Sequence, residues 1–440
     1  MNKLWQPIDN APLLVFRIFF GFLIAAESFG AILTGWVRNV LIKPEFTFSH
    51  IGFEWLQPLP GYGMYAYFAL MGSMGIAVML GYKYRWSLGI FTLLWTGVYL
   101  MQKEAYNNHY YLLILVCIIM LFMPANRAVS IDAKQNPTIK TNYMPKFVLI
   151  IMIAQMTIVY GFATIAKFYP DWLDGTFTRS LFQPHTNFPV IGTVFSTKWF
   201  PLFIAYSGIV FDGLIIPALL WKKTRTIAFI ASLIFHLFNS VTLQIGIFPF
   251  FALSFVVFFY PPEKIRKLFF RNQIELPDTT LNLKPAKLIL LFFIVFFSIQ
   301  LLLPIRHWFI KGDVLWTEEG HRLSWRMMLR QRNGFITYRV VDKQTKEQWT
   351  YSLQDKASFK QFNMLNKPDG IWQFAQRIKK EYQEQGKDVS IFIDSRVSVN
   401  NKPYLMFVDP AVDFAQAKWN YFSHNNWIIL YDSQGHPIEK

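Results

Sequence analysis

A lysine, two histidines and several carboxamides sit at the ends of, or inside, long apolar runs. Lys167 closes one run in ATIAKFYPDWLDG. His109 follows Asn107 and Asn108 at the start of another, and His236 and Asn239 lie within a third, with Gln244 just after it. Ionisable and amide groups at bilayer depth are costly unless paired, and they mark functional sites by default. A lysine withdrawn from water gives up its proton more readily and serves as a general base near neutral pH. Histidine and asparagine beside it orient an oxyanion by hydrogen bonding. Together they describe a lipid-facing proton-transfer site for an acidic, lipid-soluble substrate entering from the bilayer.

Each residue alone has a plainer reading. Lys167 snorkels to the interface, His109 caps a helix N-terminus, and His236 is a hydrogen-bonded core histidine. Glu27 and Asp212, carboxylates in two other apolar runs, pair with Arg17 or with backbone groups. What carries weight is convergence, since three predicted helices bring these groups to one side of the membrane. His109 and His236 lack a third ligand of comparable quality, His307 and His321 belong to a membrane-proximal segment, and Cys117 is the single cysteine. No catalytic metal is expected.

The elements that must position these residues are membrane helices. Of 440 residues, 53% are hydrophobic, 18% aromatic and only 16% charged, against about 25% charged in a soluble protein. Runs long enough to approach a bilayer crossing fall at 11–31, 62–81, 86–101, 109–124, 147–166, 200–221, 226–243, 246–260 and 288–305. The first is read as a retained helix rather than a removed leader. With the N-terminus inside, the inside loops hold fifteen lysines and arginines and the outside loops six, which is the asymmetry the positive-inside rule requires. The net charge of +16 is thereby accounted for without nucleic acid.

Composition changes at 305/306. Residues 1–305 read as a transmembrane catalytic domain, and 306–440 as a small α+β domain on the non-cytoplasmic side. In the latter, FITYRVV at 335–341 and EQWTYSL at 347–353 alternate as a hairpin, 369–385 reads as an amphipathic helix, and 389–399 with 403–408 form a second hairpin around Asn400–Asn401. The fold class is therefore an integral membrane, mostly α protein: a bundle of nine spans plus an extracytoplasmic α+β domain. With no Asn-x-Ser/Thr acceptor, the chain fits a bacterial inner-membrane protein. A transporter reading lacks support, because no paired inverted halves are visible.

Several segments resemble the vitamin K-dependent gamma-carboxylases, within the wider group named for a horizontally transferred transmembrane domain. They are NNHYYL at 107–112, TIAKFYPDWLDG around Lys167, FHLFNSVTLQIGIF at 235–248, SWRMML at 324–329, FITYR at 335–339 and VDPAVDFAQAKW at 408–419. The resemblance implies an enzyme that deprotonates vitamin K hydroquinone, a menaquinol-type cosubstrate, and oxidises it with oxygen to the epoxide. The base formed then removes a γ-proton from a glutamate side chain of a peptide or protein acceptor, and the carbanion captures carbon dioxide. By position, Lys167 resembles the lysine that deprotonates the hydroquinone, His109 with Asn108 the group polarising a quinone oxygen, and His236 a pocket histidine. Asn107, Asn239 and Gln244 complete the implied quinone-binding set. RQRN at 330–333 stands where the animal enzymes carry histidines, and the chain ends soon after NNWIIL at 425–430. A homologue that keeps epoxidation alone, or a non-catalytic quinone- or lipid-binding membrane protein, are the alternatives.

Overall fold

The computed structural model describes residues 2–187, 191–243, 246–270, 287–353, 358–432 and 434–438. All nine predicted segments are helical: α1 (Ala11–Leu33), α2 (Gly63–Leu80), α3 (Tyr84–Met101), α4 (Asn108–Phe122), α5 (Lys146–Ile165), α6 (Phe200–Leu220), α7 (Arg225–Leu243), α8 (Phe248–Ser254, prolonged as a 3-10 turn to Phe259) and α9 (Lys287–Ile305). Six of them, α1, α2, α5, α6, α7 and α9, are long and apolar enough to cross a bilayer among the described residues. Helices α4 and α8 are shorter, and α3 falls outside that set. A 15-residue helix such as α4 rises only about 22 Å, short of the roughly 30 Å hydrocarbon core. Among the described residues, length and composition support six spans, and the expected count of nine is not confirmed.

Lipid-facing and inward faces separate cleanly on α7. Ile227, Ile230, Ile234, Leu237 and Val241 are exposed, whereas Ala228, Ser232 and His236 are buried. An outward apolar stripe at helical spacing suits a hydrocarbon solvent, so the polar groups are the ones turned inward. Helices α1 and α2 pack through small residues. A Cβ on Gly21 would lie 2.3 Å from the Met79 backbone nitrogen, and one on Gly75 would lie 2.7 Å from that of Ala25. Close approach through glycine is the usual way membrane helices gain packing without a hydrophobic drive.

The C-terminal part contains a four-stranded antiparallel sheet of β1 (Arg332–Asp342), β2 (Gln348–Thr350), β3 (Val389–Val399) and β4 (Leu405–Met406), in the order β2-β1-β3-β4. Helix α10 (Pro368–Glu384) lays Ile371, Phe374 and Ile378 into one core with Tyr338, Ile391 and Ile393. Both predicted hairpins form. Asn400 and Asn401 adopt φ of 54° and 61°, the left-handed pair that a two-residue hairpin turn needs and asparagine tolerates. Phe46 and Phe48, from the connection between α1 and α2, belong to this same core. The Phe46 carbonyl accepts from Gln361 Nε2 (2.6 Å), and Arg377 lies 4.0 Å over the Phe46 ring.

Candidate active site

Helix α5 ends two residues before Lys167, and its last turns set the geometry. Lys167 and Tyr160 are seven residues apart, two turns on one face. Lys167 is 7% exposed. Its Nζ donates to the Ala163 carbonyl at 3.1 Å and lies 2.5 Å from Asp212 Oδ2, midway along α6. The Trp172 ring lies 5.4 Å from Nζ and is fixed by its Nε1 donating to the Ala205 carbonyl at 2.9 Å. Lys167 therefore turns inward to a carboxylate instead of snorkelling. Asp212 pairs with this lysine and not with Arg17, whose guanidinium donates to the carbonyls of Ala125 (2.8 Å) and Val129 (2.6 Å).

His236 is 2% exposed. Its Nε2 lies 3.1 Å from the Tyr160 hydroxyl, while its buried Nδ1 has no partner among the described residues. Beneath these groups lies a cavity of about 10 Å³ lined by Met156, Tyr160, Ser232, His236 and Phe255 among others. That is room for about one water molecule. His109 stacks on Phe248 with centroids 3.6 Å apart, and the same ring stands edge-on to His236 at 6.0 Å. The two histidines thus share one aromatic slot filled by Phe248. Among the described residues, no three His, Cys, Asp or Glu side chains gather as a metal site.

The carboxamides divide into different roles. Asn107, not His109, caps α4: its side-chain oxygen accepts from the Tyr110 backbone nitrogen at 2.8 Å. Asn108 accepts from the Tyr106 hydroxyl (3.1 Å) and donates to the Arg326 carbonyl (3.3 Å). Asn239 is half-buried one turn beyond His236, and Gln244 lies outside the described residues. Glu27 accepts from the Tyr110 hydroxyl at 3.0 Å. Asp212, Tyr160 and Phe248 are members of the site that residue type alone did not bring forward as functional. The available signal was a lone carboxylate in an apolar run and a tyrosine at i−7 from the lysine.

A strap from the C-terminal part covers this end of the bundle. Leu323, Trp325 and Met328 have φ of 60°, 56° and 48°, a region that costs bulky side chains energy and persists only where packing imposes it. Trp325 is fully buried and stacks on Tyr111 at 5.1 Å. The strap's carbonyls at Arg326 and Leu329 accept from Asn108 and from the Tyr169 hydroxyl, so it bridges the His109 and Lys167 sides. Next to it, the hairpin tip grips the segment after Lys167. Asn400 Nδ2 donates to Asp171 (2.8 Å), Lys402 pairs with Asp171 (2.8 Å), and Asn401 Nδ2 donates to Ser180 Oγ (2.7 Å).

Behind the strap lies a buried charge network. Asp369, in the first turn of α10, meets Lys103 Nζ at 2.8 Å and Arg322 Nη2 at 2.9 Å. Burial pushes its carboxyl up, but Arg322 and Lys103 outweigh that and hold it well below the ordinary range. Glu318, paired with Arg330, is held low in the same way. His50, stacked on Tyr99 at 5.0 Å, is taken down to about 3 by burial and by the Arg322 and Lys103 charges. His321 also lies well below its usual range, from burial and the adjacent Arg330.

Two family descriptions divide the chain between them. The HTTM domain matches residues 5–263, more than half the chain, and the vitamin K-dependent gamma-carboxylase lumenal domain matches 285–434. No solved structure matches. The first match covers Lys167, Asp212 and both site histidines, and the second covers the strap and the sheet domain laid over them. An integral membrane protein built from these two domains, in this order, belongs to the vitamin K-dependent gamma-carboxylase family.

Proposed function

We propose that this protein oxidises vitamin K hydroquinone at the Lys167 site and couples that oxidation to carboxylation of glutamate side chains. The observation that carries the reading is the buried Lys167–Asp212 pair, in a bundle where two histidines share an aromatic slot and one of them meets Tyr160 from the helix that leads to Lys167. The residues fit a quinol. Phe248 already lays one flat ring on His109 with centroids 3.6 Å apart, the stacking that a quinol ring would extend. Bound vitamin K hydroquinone supplies, on oxidation by oxygen to the epoxide, the strong base that takes a glutamate γ-proton so that carbon dioxide adds. Lys167 takes the hydroxyl proton, with Asp212 fixing its direction. His109 and His236 flank the ring, and His109 hydrogen-bonds its oxygen. Phe248 and Trp172 wall the reaction from water, and the strap closes the outer side. The localisation that suits this chemistry is a bacterial inner membrane with the strap and sheet domain outside.

Purified protein in detergent, given reduced vitamin K, oxygen, labelled bicarbonate and a glutamate-rich peptide, tests the reading through epoxide and fixed label together. Both products support the coupled reaction. Epoxide without label leaves the oxidative half with a different acceptor. Neither product from folded protein turns the reading to a non-catalytic quinone-binding protein. Lys167→Ala and Lys167→Arg both abolish epoxide formation on this reading, because arginine does not give up its proton in the working range.

A further inference from the structure

We infer that Asp212 is the acceptor that resets Lys167 after each proton abstraction, and that Tyr160 and His236 carry the proton on to the small cavity they line. The inference rests on the quinol-oxidising reading above. A lysine acting as base begins a turnover as a neutral amine and ends its step as an ammonium, so the proton must leave before the next substrate. Among the described residues the sole carboxylate touching Lys167 is Asp212, at 2.5 Å, and both side chains are more than nine-tenths buried. In such surroundings the charged pair loses much of its advantage, because both ions forgo water. Moving one proton between the two atoms turns an ion pair into a neutral amine and a neutral acid, with no charge left stranded. Lys167 is then ready again.

The exit follows from placement. Tyr160 stands two turns before Lys167, on the same face of α5. Its hydroxyl is 3.1 Å from His236 Nε2. A water bridges Asp212 to the Tyr160 hydroxyl on this path: Tyr160 passes its hydroxyl proton to Nε2 as its oxygen takes one from that water, which in turn takes the proton of Asp212. His236 then releases the proton on Nδ1, the nitrogen with no partner among the described residues, to a water in the cavity of about 10 Å³ that both residues line. Ser232, one turn nearer the start of α7, also lines it, so the path runs away from the strap-covered end. Only protons move: Lys167, Asp212 and Tyr160 each give one and receive one, and a flip of the His236 ring restores its starting tautomer before the next turnover. This separates the proton outlet from the side where an acceptor peptide would approach.

The test compares wild type, Lys167→Ala, Asp212→Asn, Asp212→Glu and Tyr160→Phe in detergent, with two readouts. Infrared difference spectra on adding reduced vitamin K without oxygen should show a protonated-carboxyl C=O band in wild type. The band should be missing in Asp212→Asn and restored, shifted, in Asp212→Glu. In rapid-mixing experiments with oxygen, Tyr160→Phe should form the first equivalent of epoxide at the wild-type rate. Its later turnovers should slow on the order of 10²-fold, the usual worth of a positioned proton-transfer group, with a larger solvent deuterium effect. A band that persists in Asp212→Asn, or Tyr160→Phe turnovers that match wild type in rate and isotope effect, overturns the relay and leaves the quinol reading standing. Full epoxide formation by Lys167→Ala, or none by wild type, overturns the reading and the relay with it.

Discussion

Replacing Asp369 by Asn tests whether a charge cluster fastens the strap and sheet domain to the helix bundle. Asp369 is shared by Lys103, whose side chain is 1% exposed, and Arg322, at 18%. Removing the carboxylate leaves both cations without it in a dry interface, the situation in which breaking one member of a buried pair costs about 3–5 kcal/mol. Lys103→Met is gentler. It removes a charge, keeps much of the volume and leaves Asp369 with Arg322, so a loss of about 1–3 kcal/mol is expected. The double variant should be more stable than the sum of the two predicts, by a coupling of about 0.5–3 kcal/mol. The assay is denaturant or thermal unfolding in detergent, followed by the fluorescence of the buried Trp325, with a double-mutant cycle. Acid adds a second reading. The folded-state pKa of Asp369 is depressed from 3.8, so its contribution is fully present above that value and is lost as the pH falls through the folded value. Wild type and Asp369→Asn should therefore converge in stability as the pH drops below about 4. Strictly additive losses, or an Asp369→Asn gap that stays constant into acid, refute the clamp.

Burial lowers Lys367 to about 8 against a smaller opposing pull from Glu318, with Arg322 and Arg330 adding to the drop. The unfolded chain binds more protons between 8 and 10.5, so the penalty is full below pH 8 and disappears as the pH rises through that window. Lys367→Gln should stabilise the protein at pH 7 by about 1–3 kcal/mol, with an advantage that fades by pH 10.5 in melting curves. Gly21→Val should push α1 from α2, since even a Cβ meets the Met79 backbone at 2.3 Å; a loss of about 1–3 kcal/mol or more by thermal unfolding is expected. Asn107→Ala should cost about 1 kcal/mol through the lost cap of α4 and lower epoxide yield by loosening His109, whereas Asn107→Ser should preserve both.

Apolar run length, loop charge and alternation made the helices, the hairpins and α10 legible from the chain alone, because each is a local property with its own period. The Asn400–Asn401 turn was equally local, as few residues accept two consecutive left-handed conformations. Lys167, His109 and His236 stood out because a polar group in an apolar run is costly wherever the fold takes it. The number of spans was less legible: α4 and α8 are apolar but short, and composition does not say whether a short helix crosses. Partnership was decided only in three dimensions. Asp212 lies 45 residues from Lys167, Phe248 enters between two histidines from a third helix, and Phe46 and Phe48 leave the loop after α1 to complete a core otherwise built from the last third of the chain. Local sequence sets which side chains are expensive to bury. Which long-range neighbour offsets that cost depends on how the helices pack, and that packing turned a lone lysine into one half of a proton-sharing pair.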